Sequence, residues 1–113
     1  MRILVTGNRG YIGCILVRVL QEAGHDVAGL DSDLYRGCTF GPESGVPDIE
    51  TLVKDLRDVT PGDLRGFDAV VHLAALSNDP LGDLDPEVTY AVNHHASVNL
   101  ARAAREALSL IHI

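Results

Sequence analysis

The sequence is poor in three things, and each shortage closes off a class of function. It has two cysteines, Cys14 and Cys38, too few for a disulfide framework or a cysteine-built metal site. Cys14 falls in an apolar helical run and reads as a small buried hydrophobe, whereas Cys38 lies in a loop and carries no signal. Basic residues are scarce as well: nine Lys and Arg against sixteen Asp and Glu give a formal net charge of −7. No nucleic-acid partner is expected, because binding a phosphate backbone needs a basic face. A phosphorylated small molecule remains open, since backbone dipoles can hold an anion locally. Long apolar runs are missing too. No stretch of about 18 uncharged apolar residues exists to span a membrane, and the first residues lack the basic and apolar segments of a secretory leader. The expectation is a cytoplasmic location.

What is there is ordinary globular composition. Apolar residues make up 46% and charged residues 22% of 113, enough for one domain with a real core. Strand and helix patterns alternate from the start. Arg2–Thr6 is a short apolar run ending in a turn, suited to a buried parallel strand. Ile12, Ile15, Leu16, Val19, Leu20 and Ala23 recur at helical spacing, with Gly24 as the stop. Val27–Leu30 predicts a second strand closed by Asp31, and residues 32–48, rich in Gly, Pro, Ser and Asp, read as a long loop. Thr51–Lys54 predicts a third strand, Pro61–Arg65 a single helical turn, and Phe67–Leu73 a fourth strand. A long helix follows, with Asp85 as N-cap, Pro86 in the first position and Glu87 in the first turn. Its stripe is Val88, Val92, Ala96, Leu100, Ala103 and Ala107. Ser109–Ile113 is apolar enough to begin another strand. No internal repeat is visible. Strand–helix alternation with apolar strands implies an α/β fold, a doubly wound parallel sheet covered on both faces.

The most informative segment is Thr6-Gly7-Asn8-Arg9-Gly10-Tyr11-Ile12-Gly13. It follows a strand and opens a helix, the context in which a glycine-rich turn binds phosphate. Gly7 permits the tight turn, Gly10 lets the backbone approach a pyrophosphate, and Gly13 allows the helix to pack on the sheet. The helix then presents unpaired N–H groups and the positive end of its dipole. Glycines in such a turn can also be merely structural, and the spacing is G-x-x-G-x-x-G. Asp31 adds weight. It stands 18 residues past Gly13, near the separation of about 20 at which an acid hydrogen-bonds the adenosine ribose. A carboxylate there repels a 2′-phosphate, so NAD is expected over NADP; Asp31 and Asp33 together outweigh nearby Arg36. Arg9 either reaches a phosphate or points to solvent.

Thr-Gly-x-x-Gly-Tyr-Ile-Gly resembles the fingerprint of the extended short-chain dehydrogenases/reductases, the NAD-dependent nucleotide-sugar epimerase/dehydratase group, and the likeness extends over about residues 1–107. It implies a Rossmann-type sheet with NAD held by Gly7, Asn8, Arg9, Gly10, Tyr11, Ile12, Gly13 and Asp31. Asp55-Leu56 resembles the family's Asp–hydrophobic pair at the adenine edge. His72-Leu73-Ala74-Ala75 resembles the strand end that lines the cofactor, which adds Leu73, Ala74 and Ala75 to the expected site. Asn93 resembles the helix asparagine that follows a Pro-x-x-x-Tyr segment, here Pro86 to Tyr90. Departures exist. Asn8 and Arg9 replace small residues, and Asn93-His94-His95-Ala96-Ser97 stands where the family often has Asn-Val-x-Gly-Thr.

The resemblance also implies catalysis by a Tyr-x-x-x-Lys pair with a Ser or Thr alongside, the tyrosine moving a proton while nicotinamide takes or returns a hydride. The sequence has one lysine, Lys54, and Glu50 stands four residues before it. No such pair exists here, so no residue present is expected to be catalytic. His94 and His95 are adjacent, point about 100° apart on a helix and cannot chelate as an i, i+4 pair would; no metal is expected. His72 reads as a satisfied buried histidine, and Asp79, Asp83 and Asp85 as solvated loop and helix cap. Ser77 and Asn78 follow the strand end and would face nicotinamide or substrate. Residues 1–113 are thus expected to be a truncated Rossmann domain, the NAD-binding part of a nucleotide-sugar epimerase or dehydratase. The catalytic segment and a C-terminal substrate domain would be missing, the substrate partner would be a nucleotide sugar, and the complete protein would be a homodimer. Two alternatives stay open: a non-catalytic dinucleotide-binding regulatory module, and an NADP-dependent reductase of a non-sugar substrate.

Overall fold

A computed structural model of the chain describes residues 1–34, 36–37, 45–77 and 79–107. The expectations placed on Cys38, Asn78 and Ser109–Ile113 lie outside the described residues.

Short apolar runs form the centre of the molecule. Strand β1 is Arg2–Thr6, β2 is Asp26–Asp31, β3 is Thr51–Val53 and β4 is Ala69–His72. All pair in parallel, in the order β3-β2-β1-β4. Because β1 has a neighbour on each side, its residues Ile3, Leu4, Val5 and Thr6 are all buried. Residues two apart share a face of a strand, and that alternation sorts the core into two layers. Ile3 and Val5 meet helix α1, Tyr11–Glu22, through Val17 with Leu16 and Leu20 beside it. Leu4 faces the other way, packing with Ala28, Leu30 and Val70 against Ala96, Leu100, Ala103 and Ala104 of the last helix. Helices on opposite faces of a parallel sheet make the doubly wound α/β arrangement that the alternation predicted.

Between β3 and β4 the chain is held by side-chain caps. Asp55 caps a 3₁₀ turn at Leu56–Asp58. Thr60 and Asp63 form a reciprocal capping box around α2, Pro61–Leu64, which drives Leu64 into the core. Lys54 Nζ donates to the same Asp63 carboxylate at 2.8 Å, joining the end of β3 to α2. That ammonium holds the Asp63 carboxyl below the usual carboxylate range.

Three local expectations shift. The helical spacing found α1 but not its buried side: Gly13 and Val17 are buried, while Ile12, Ile15 and Val19 stay 64%, 55% and 54% exposed. Apolar residues occupy two neighbouring faces of this helix, and the bare Gly13 decides which of them approaches the sheet. Cys14 is accordingly half-buried rather than buried. Asp79–Leu84 forms a short helix, α3, with Pro80 in its first turn, where acidic composition suggested a loop. The long helix after Asp85 is broken into α4, Pro86–Tyr90, a π turn at Ala91–His95, and α5, Ala96–Ala107. Its cap is as expected, Val88 N donating to Asp85 Oδ1 at 3.1 Å. The π turn inserts one residue into the ladder, so the apolar stripe is buried only at Ala96, Leu100 and Ala103, with Val88, Val92 and Ala107 half-buried. No helix among the described residues is long and apolar enough to cross a membrane.

Candidate functional site

The site begins where β1 stops. Gly7 takes φ +74°, in the left-handed region; its N–H donates to Leu30 O at 2.8 Å and its carbonyl accepts from Gly10 N at 3.0 Å. A Cβ added at Gly7 would lie 3.0 Å from Ala74 N, and one at Gly13 would overlap the carbonyl oxygen of Gly7. The bend is thus pressed against the end of β4 on one side and the first turn of α1 on the other. Gly10 is the N-cap of α1 and offers no side-chain cap, and no acid stands in the first turn. The first intrahelical bond is Cys14 N to Gly10 O at 3.0 Å. Preceding it, the amides of Tyr11, Ile12 and Gly13 stand at the positive end of the helix dipole, an arrangement that receives an anion.

The bend opens into a cleft of about 1260 Å³ at the carboxyl ends of β1, β2 and β4. Connections leave β1 toward β2 on one side and reach β4 on the other, so the cleft lies at the point where strand order reverses, the usual ligand position in such sheets. All but two of the expected cofactor residues line it, together with Ser77. The exceptions are Asn8 and Asn93.

Asn8 points into the protein. It is 2% exposed, and its Nδ2 donates to Thr51 Oγ1 at 3.0 Å. It lies over Gly29 of β2, where any Cβ would collide with the Asn8 amide. Its side chain ties the bend to β3, and its Oδ1 is buried without a partner among the described residues. Asn93 grips backbone: Oδ1 accepts from Leu76 N at 2.7 Å and Nδ2 donates to Leu76 O at 2.8 Å. It therefore acts on the cleft through the segment that carries Ala74 and Ala75.

The same segment is held by residues that sequence reasoning missed. Thr6 Oγ1 accepts from Leu73 N at 3.1 Å and Ala74 N at 3.2 Å. With both lone pairs engaged, its hydrogen goes to His72 Nδ1 at 2.7 Å. The imidazole then carries its proton on Nε2 and donates to Ser97 Oγ at 2.8 Å, which donates to Asn93 O at 2.9 Å. His72 is the satisfied histidine expected, and burial lowers its pKa below the ordinary histidine value. Ser97 matches no motif; Thr6 opens the glycine fingerprint, which assigned it no role, and its place at the end of an apolar strand was the available signal.

At the other end of the cleft, Asp31 Oδ2 accepts from Arg9 N at 3.0 Å and Oδ1 from Asp33 N at 2.8 Å. Each oxygen keeps a further lone pair, as ribose hydroxyls require. Arg9 borders the cleft with its side chain 35% exposed, and its guanidinium is engaged: Nη1 pairs with Asp33 Oδ2 at 2.7 Å. Asp55 is engaged too. Arg57 donates to it through Nε, Nη2 at 2.6 Å and its backbone N at 2.9 Å. That guanidinium holds the Asp55 carboxyl below the usual carboxylate range, against burial, which pushes it up. His94 and His95 are exposed and pack with Tyr90, at ring separations of 4.8 Å and 4.9 Å, away from the cleft lining.

The sequence profile of the NAD dependent epimerase/dehydratase family matches residues 3–112. The chain belongs to this family. Among its relatives, UDP-glucose 4-epimerase of Mycolicibacterium smegmatis is 39% identical over 112 residues, covering 93% of this chain and 35% of that protein. The 3-beta-hydroxysteroid dehydrogenase of Mycolicibacterium neoaurum is 31% identical over 113 residues, covering 94% and 29%. Among solved structures, the UDP-glucose 4-epimerase of Thermus thermophilus in complex with NAD matches with a TM-score of 0.78 and 34% identity, over 94% of this chain and 34% of that one. The chain spans about a third of the length of these relatives. The likeness makes its parallel sheet a Rossmann-type one.

Proposed function

We propose that this chain binds NAD in the cleft beside β1 and forms the cofactor-binding part of a nucleotide-sugar epimerase or dehydratase. The observation that carries the reading is the bend from Gly7 to Gly13, which joins an uncapped helix N-terminus to a backbone without a Cβ at Gly7, Gly10 and Gly13. The amides of Tyr11, Ile12 and Gly13 would hold the diphosphate, and Asp31 the ribose hydroxyls. Ala74 and Ala75 leave room beside the bend, and Leu56 offers an apolar wall next to Asp55. When bound, the nicotinamide ring supplies a hydride acceptor and donor. This chain's residues bind and orient; the proton transfer of the family's tyrosine–lysine pair belongs to none of them. Sugar-nucleotide chemistry is favoured over a steroid alcohol because UDP-glucose 4-epimerases match at 39% and 34% identity and the steroid dehydrogenases at 31%, at like coverage. The family resemblance adds a homodimer to the same reading.

Calorimetric titration of the intact protein with NAD and NADH tests the proposal, with Gly10→Val as the discriminating variant. A Cβ at Gly10 meets only Gly7 O, at 3.2 Å, so the bend can adjust while the added methyls occupy the approach to the amides. Affinity is expected to fall at least about tenfold, a loss of about 1.4 kcal/mol. Absence of binding by the folded protein, or equal binding by Gly10→Val, overturns the reading.

A further inference from the structure

Four charged side chains crowd the tip of β2: Asp31, Asp33, Arg9 and Arg36. Arg9 comes from the glycine bend, its backbone held to Asp31 at 3.0 Å. Its guanidinium is therefore anchored beside the carboxylate that faces the ribose. From that anchor it pairs with Asp33 at 2.7 Å, and Arg36 Nε lies 3.9 Å from the same Asp33 oxygen. The Asp33 side chain is only 16% exposed, while that of Arg36 is 84% exposed. Asp33 holds φ +57°, a left-handed conformation that non-glycine residues adopt at a cost. Two bonds keep it there: its own amide to Asp31 Oδ1 at 2.8 Å, and Arg36 N to its carbonyl at 3.1 Å. The backbone thus delivers one shielded carboxylate onto Arg9.

We propose that Asp33 sets the choice between NAD and NADP by withholding Arg9 from a 2′-phosphate, an inference that rests on the cofactor reading above. Asp31 alone repels a 2′-phosphate, but two guanidinium groups within reach would compensate it, since their planar forks pair readily with phosphate oxygens. Asp33 consumes the charge of Arg9 and draws on that of Arg36. The carboxylate of Asp31 is left uncompensated, and NADP is rejected. With Asp33 uncharged, Arg9 and Arg36 are free to meet the phosphate while Asp31 still holds the remaining ribose hydroxyl.

The test is the ratio of NADP to NAD dissociation constants, measured by calorimetry on the intact wild-type protein and on D33N, D33G and R9A/D33N. Asparagine tolerates the left-handed conformation as aspartate does, and glycine adopts it freely, so neither replacement forces the bend open. The ratio is expected to fall at least tenfold in D33N and in D33G, and to recover most of the way to the wild-type value in R9A/D33N, where only Arg36 is left free. A ratio within twofold of wild type in both single variants overturns the role of Asp33. A gain in NADP binding as large in R9A/D33N as in D33N overturns the role of Arg9. If folded wild-type protein binds neither dinucleotide, the cofactor reading itself fails; if it binds NAD and the variants keep its ratio, only this inference does.

Discussion

One methyl group at residue 13 is enough to break the bend. A Cβ there overlaps the carbonyl oxygen of Gly7 and comes within 2.8 Å of the Asn8 Cα. Both are backbone atoms and cannot rotate aside. Gly13→Ala is expected to cost about 2 kcal/mol or more and to weaken NAD binding along with folding. Denaturant melts followed by circular dichroism measure this, and a loss under about 0.5 kcal/mol, the usual scatter of surface changes, would show that the turn relaxes elsewhere. Gly13 was legible because a missing side chain leaves a mark in the local pattern. Asn8 was not. An amide in a phosphate-binding turn reads as a ligand, yet here Gly29 on another strand opens a slot that swallows it.

Elements are joined at the cleft by the chain of hydrogen bonds from Thr6 through His72 and Ser97 to Asn93, linking β1, β4 and α5. It works only with a neutral ring, because a protonated Nδ1 cannot accept from Thr6. Burial lowers the His72 pKa from the ordinary histidine value of 6.5, so the unfolded chain takes up the proton more readily than the folded one. The stability this confers is complete above the ordinary histidine range and is lost as pH falls through 6.5 toward the lowered value. Thermal melts between about pH 7.5 and pH 5 are expected to show a steeper decline for wild type than for His72→Phe, the other histidines being common to both. Parallel declines would remove His72 from the account. The segment Leu73–Leu76, and with it the wall of the cleft, should loosen over the same interval.

Taken whole, the described residues form a cleft beside β1, and the 113-residue sequence contains no Tyr-x-x-x-Lys pair. Its one lysine, Lys54, is held by Asp63 at 2.8 Å beside α2. The 113-residue chain is expected to give no epimerase or dehydratase turnover with any nucleotide sugar, measured by product formation in the presence of NAD. Measurable turnover would refute the assignment of binding without catalysis. Its surface carries the apolar row Ile12, Ile15 and Val19 on α1, which no described residue covers. At this scale the spacing rules had least to offer: they count residues along one helix and cannot say which side another element will meet.

What the sequence determined by itself was everything written in consecutive residues. The strand–helix alternation, the glycine bend, the acid at the tip of β2 and the cap at Asp85 follow from periodicity, bare Cα positions and local hydrogen bonding. Tertiary structure alone decided which face of α1 meets the sheet, that Asn8 and Asn93 hold backbone and strand rather than line the cleft, and that Arg9 turns to Asp33. It also decided that Thr6, His72 and Ser97 meet. Each of these depends on packing between elements, with contacts of about 3 Å in the hydrogen-bonded cases, which no local pattern encodes.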